Sequence, residues 1–147
     1  MTAYSKPSAL VTRVLNPVME FAVGRFGLGG KRVLEVRGRK SGEWRGVPVN
    51  LLVVESVRYL VAPRGETQWV RNLRAAGEGR LKARGRIEEF TAIEASGDEK
   101  PPILRAYLDR WAREARSLFD AEPGAPEEEL RKISPDHPVF RLQFERR

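Results

Sequence analysis

At 147 residues and 41% hydrophobic content, the chain suffices for one domain that buries about two-thirds of its unfolded surface, with no room for a second core. It has no cysteine, which excludes disulfides, thiolate metal sites and a cysteine nucleophile; His137 is the only histidine, so zinc and haem chemistry are poorly supported. The formal charge of +7 is unevenly spread: residues 31–49 carry six cations against two anions and residues 71–86 six against one, whereas residues 98–130 carry nine anions against five cations.

A field of one sign over part of a chain attracts polyanions: a phosphorylated cofactor with an acidic tail, nucleic acid, or an anionic membrane surface. In chain order, residues 1–30 form a polar lead and an apolar run in which Leu10, Val14, Val18, Phe21 and Ala22 share a helical face. Arg13, Asn16, Pro17, Glu20 and Arg25 interrupt that run, so it is neither a secretory segment nor a membrane span. The expectation is an N-terminal helical segment, kinked at Pro17, that packs on the following domain; a lid or a peripheral membrane contact are its alternatives.

Residues 33–37 and 47–54 alternate as strands, and between them Gly38-Arg39-Lys40-Ser41-Gly42 reads as a tight turn. Such a tip suits an anion, because its glycines expose backbone N–H groups, Ser41 carries a hydroxyl, and Arg39, Lys40 and Arg45 give charge-assisted contacts. An ordinary glycine-rich hairpin with solvated cations has the same spacing. Glu55-Ser56 then turns the chain into a third strand at 57–62, and Pro63-Arg64-Gly65-Glu66 ends it. Thr67 is the expected N-cap of a short helix with Trp69, Val70, Leu73 and Ala76 on one face, ending at Gly77. Trp69 and Asn72, three apart, look to the same side of it.

Residues 79–84 read as a strand with Arg80, Lys82 and Arg84 in a row on one face, Gly85-Arg86 as a turn, and 87–95 as its partner strand. From Leu104 to Phe119 the apolar residues Tyr107, Leu108, Trp111, Ala115 and Leu118 keep helical spacing, which predicts one long amphipathic helix with Pro101 or Pro102 in its first turn. A last strand follows at 139–144. Six strands with two or three helices make an α+β domain or small barrel.

The combination Gly38-Arg39-Lys40-Ser41-Gly42-x-x-Arg45-x-x-Pro48, the strand Tyr59-Leu60-Val61-Ala62, and Trp69-x-x-Asn72-Leu73 resembles the deazaflavin-dependent nitroreductase family of actinobacteria, with a weaker echo in the closing His137-Pro138-Val139-Phe140. The resemblance implies a split β-barrel over residues 31–147 that binds coenzyme F420, with FMN as the alternative, and an oxidoreductase that passes a hydride to a small apolar electrophile. It implies a phosphate- and tail-binding turn of Arg39, Lys40, Ser41 and Arg45, with Pro48 on the next strand. Val61, Ala62 and Pro63 would run beside the deazaflavin ring, Arg64 would add a cation, and Trp69 and Asn72 would close the site. Pro63 stands where a nitroimidazole-reducing member has serine, so quinones, enones and nitro compounds are all candidate substrates. No catalytic acid–base pair and no metal is expected. The cytoplasm is the expected compartment, and the chain is a monomer or homodimer. A non-catalytic carrier of FMN or fatty acid, or a basic module for nucleic acid, are the competing readings; specific nucleic-acid binding is not expected, since no aromatics interleave with the row of cations.

Overall fold

The alternation of apolar and polar residues in the β-rich part winds the sheet into a barrel. The computed structural model describes residues 30–144; the helix expected within residues 1–30 lies outside them, apart from Gly30. The strands are β1 (Lys31–Arg37), β2 (Trp44–Val54), β3 (Val57–Val61), β4 (Glu78–Ala83), β5 (Arg86–Glu94) and β6 (Val139–Phe144). All six expected strands are present. They pair antiparallel in the closed order β1-β2-β3-β6-β5-β4, and β1 returns to β4 through Val33 opposite Lys82 and Glu35 opposite Arg80. This is the split-barrel architecture that the resemblance implied.

Some boundaries shift for definable reasons. β2 begins at Trp44, ahead of residue 47, because pairing with β1 runs up to the turn, Arg37 facing Trp44. The β4–β5 turn is Arg84-Gly85, both left-handed (φ 53° and 74°), so Arg84 leaves the row of strand cations and Arg86 opens β5. Glu55 and Ser56 turn β2 into β3 with positive φ of 49° and 70°, the geometry that matches the twist of a two-residue hairpin.

Two apolar cores result from the two faces of the sheet. Inside the barrel, Leu34, Val36, Leu51, Leu60, Leu81, Phe90, Phe140 and Leu142 meet Val70 and Leu73 of helix α1 (Gln68–Ala76), which plugs one end. Outside it, Leu52, Val61 and Val139 pack against helix α2 (Lys100–Arg110) and helix α4 (Glu127–Ile133) through Ile103, Leu104, Leu108, Leu130 and Ile133. Each such side chain contributes roughly 1.5–3 kcal/mol by leaving water.

The expected long helix over residues 104–119 is broken. Pro101 and Pro102 do open α2, but at Trp111 the backbone departs from helical geometry (φ −121°, ψ 44°), and only the short helix α3 (Ala112–Ala115) follows. The break brings the Trp111 indole against Gly30, where an added Cβ would lie 2.7 Å from the ring, and against Tyr107, 4.8 Å between centroids. Phe119 then folds back to stack on Tyr107 at 5.7 Å. Helical spacing survives the break, which is why the sequence pattern did not disclose it.

Candidate functional site

The basic turn is built by its own backbone. Gly38 N–H donates to Glu43 O (2.8 Å), Gly42 N–H donates back to Gly38 O (2.8 Å), and Glu43 N–H donates to Ser41 Oγ (3.2 Å). Gly42 takes a positive φ of 75°. A Cβ at Gly38 would stand 2.9 Å from Ser41 Oγ and 3.2 Å from Arg45 Nε, so the hydroxyl and the guanidinium converge over a bare backbone.

Helix α1 holds the turn in place. Asn72, 4% exposed, accepts through Oδ1 both the Arg39 backbone N–H (3.1 Å) and Arg39 Nη1 (2.8 Å), while Gln68 Oε1 accepts a further Nη1 bond (2.9 Å). One buried amide thereby fixes the backbone and side chain of Arg39 together. Trp69, half-buried, packs on Phe140 inside the barrel rim at 6.1 Å.

Cations outnumber acids at this end. Lys40, Arg45, Arg64 and Arg71 are exposed and form no ion pair among the described residues. Of the neighbouring acids, Glu43 lies exposed in the turn itself, whereas Arg74 binds Glu94 through two bonds of 2.8 Å and Glu66 at 2.7 Å, and its hydrogen bond holds the Glu66 carboxyl below the usual range. On the outer face of the sheet, buried Glu35 accepts from Arg80 at 2.6 Å and lies 3.5 Å from Lys82. Arg80 and Lys82 of the row of strand cations are thus half-buried and paired, whereas Arg84 is exposed. Arg80 and Arg37 also sandwich Trp44, 3.9 and 4.3 Å from its centroid. Trp44 is the aromatic between cations that the sequence reading did not find, but both of its faces are already covered by guanidiniums.

Beyond β3 the chain makes a compact bend. Ala62 N–H donates to Pro138 O (2.9 Å), Gly65 N–H to Ala62 O (3.2 Å) and Thr67 N–H to Gly65 O (2.9 Å), with Gly65 at φ 81°. Thr67 occupies the N-cap as expected, yet its hydroxyl makes no cap bond; Oγ1 is buried with no partner. His137 Nδ1 lies 3.2 Å from Ala62 O, and its ring stacks on Phe119 at 4.0 Å. Burial, above all, lowers its pKa and favours the neutral ring.

Of the residues singled out by sequence, the fold brings together Arg39, Ser41, Arg45 and Asn72 at the turn, with Ala62, Pro63 and Trp69 around the bend and α1. Lys40 and Arg64 stand exposed. Pro48 does not join them: it lies opposite Val33 on the outer face of the sheet, four residues beyond the start of β2. Val61 also turns its side chain away, into the core beneath the helices. Gln68, Arg71, the Thr67 hydroxyl and His137 were missed as site residues. Gln68 was findable, since it lies one helical turn before Asn72.

A closed six-stranded antiparallel barrel plugged by a helix, with a basic turn docked on that helix, is the fold of the split-barrel flavin and deazaflavin reductases. The model of the F420H(2)-dependent quinone reductase family matches residues 17–118, and the chain belongs to that family. It is accordingly an F420H2-dependent reductase, with F420 as its cofactor. Among solved structures, the chain resembles the F420-H2 dependent reductase FDR-A at 18% identity (TM-score 0.54), covering 78% of this chain and 94% of that one. It resembles a protein of unknown function from Agrobacterium tumefaciens at 16% identity (TM-score 0.60), covering 99% of this chain and 60% of that one. A domain-swapped dimer is similar at 17% identity (TM-score 0.56), with coverage of 94% and 100%. No curated protein matches the sequence significantly. Among the described residues no group of side chains is suited to a metal ion, and no helix is long and apolar enough to cross a membrane.

Proposed function

We propose that the chain reduces a quinone by hydride transfer from F420H2 bound between the basic turn, the bend after β3 and helix α1. One observation carries this reading: Asn72 and Gln68 tie Arg39 down, while Lys40, Ser41 and Arg45 stay exposed and the two cations form no ion pair among the described residues. Hydrogen bonds to uncharged amides position the turn and leave its cationic charge available to a phosphate and acidic tail.

In this reading Arg39, Lys40, Ser41, Arg45 and Arg64 hold the anionic part of F420, and Arg71 adds to the field. The backbone from Val61 through Pro63 and the side chains of Trp69 and Asn72 orient the ring, whereas Pro48 shapes the strand from its outer face. When bound in reduced form, F420 supplies a hydride, and a solvent proton completes a quinone's reduction to the hydroquinone. The protein's part is alignment and exclusion of water, so no acid–base pair is required. Enones and nitro compounds are the competing acceptors. The barrel over residues 31–147 acts as one domain behind the N-terminal segment. A homodimer agrees with the swapped dimer among its structural relatives and with exposed Ile87 and Ile93 on β5.

The test is anaerobic oxidation of F420H2, unlabelled and deuterated, by a naphthoquinone, a cyclic enone and a nitroaromatic. The quinone should react fastest and show a primary isotope effect. Oxidation of all three at the spontaneous rate would overturn the reading.

A further inference from the structure

The bend between β3 and α1 is held from beneath by one residue that the reductase chemistry does not use. His137 is 5% exposed and is the only histidine of the chain. It follows the 3-10 turn Ser134–Asp136 and precedes Pro138, whose carbonyl accepts the Ala62 N–H at 2.9 Å. His137 Nδ1 meets the Ala62 carbonyl at 3.2 Å, so both polar groups of Ala62 are clasped by two successive residues. The same carbonyl accepts Gly65 N–H at 3.2 Å and so closes the bend. The ring has little freedom to leave, being stacked nearly parallel on Phe119 at 4.0 Å and 12°.

We infer that His137 is a positioning residue: its Nδ1–H, donated to Ala62 O, sets the backbone of the bend at residues 62–67 against which the F420 ring is aligned. The inference rests on the proposed placement of the cofactor. A carbonyl can receive this contact only from a ring protonated at Nδ1, since the other neutral tautomer would oppose two lone pairs. The groups around the ring favour no second role for it. The Ala62 and Pro63 carbonyls and Asp136 favour a charged ring, while burial and Lys100 of α2, whose Nζ donates to Ser134 O at 2.9 Å, oppose it. Phe119 covers one face. An uncharged donor locked beneath the bend is what remains.

A single histidine makes the direct test unambiguous. Nitrogen NMR of the ligand-free protein at neutral pH should show the neutral Nδ1–H tautomer; a bare Nδ1 would overturn the inference outright. Substitution separates positioning from packing. His137→Phe keeps an aromatic ring on Phe119 but has no donor, whereas His137→Asn returns an amide donor near the Nδ1 position and gives up the stack. The expectation is about tenfold weaker F420 binding and faster amide exchange at Gly65 in His137→Phe, with affinity back within about twofold of the parent in His137→Asn despite a lower Tm. Parental affinity in His137→Phe, or equal losses in both variants, would contradict a positioning role. Lys40→Ala/Arg45→Ala, measured alongside, distinguishes the failures. Loss of binding there but not in His137→Phe removes this inference alone, and no loss in either removes the cofactor site on which it rests.

Discussion

Asn72 shows how one buried side chain converts a hairpin tip into a defined surface. Its single Oδ1 accepts two bonds from Arg39, so the turn and α1 move together. Thr67 makes the complementary case, a buried hydroxyl with nothing to bond. Thr67→Val should leave the thermal stability of the ligand-free chain unchanged or slightly raised, since no hydrogen bond is lost, and leave F420 binding unchanged, as titration calorimetry would register. A loss of stability without a loss of affinity would place its partner inside the protein. His137 makes stability depend on pH. Its pKa is held below the ordinary 6.5 in the folded chain, chiefly by burial, so the unfolded chain binds the proton more readily. Its contribution is complete above pH 6.5 and declines as the pH falls from there toward the lowered folded value. Chemical denaturation at successive pH values should show that decline, and it should be absent in His137→Asn. The carboxylates Glu66 and Glu99, whose pKa values are also lowered, contribute stability in full above their ordinary 4.5 and lose it only as the pH falls below that value.

At the scale of elements, α1 does two things at once: Val70 and Leu73 fill the barrel end while Gln68 and Asn72 face the turn. Leu73→Ala removes a fully buried side chain and should cost about 2–5 kcal/mol, measurable by urea unfolding. Leu104→Ala, in the separate core under α2, should cost a similar amount yet leave F420 affinity unchanged, whereas Leu73→Ala should weaken it by loosening the plug. The strands and α1 were legible because local rules govern them: alternation for the sheet, Thr67 and Gly77 at the ends of the helix, Gly38 and Gly42 around the turn. The break at Trp111 was not, because its cause lies in contacts with Gly30 and Tyr107. Nor was the pairing of Arg80 and Lys82 with Glu35, which depends on barrel closure between β1 and β4. The family resemblance brought Pro48 into the candidate site; register puts it on the outer face of the sheet.

Over the whole molecule, charge is sorted by which acids the fold consumes. Glu35 and Glu66 are bound to arginines of the barrel and α1, and around the turn and the bend Lys40, Arg45, Arg64 and Arg71 stay exposed without an ion pair among the described residues. That concentration of cations is the physical basis for holding an anionic cofactor at one barrel end. The most direct measurement is the affinity for oxidised F420 at physiological ionic strength, in the parent chain and in Lys40→Ala/Arg45→Ala. The account predicts saturable binding by the parent and a loss of about 2–5 kcal/mol in the double variant, with an unchanged circular dichroism spectrum. Equal affinity in both would mean that the anionic part of the cofactor lies elsewhere, and would contradict the site described here.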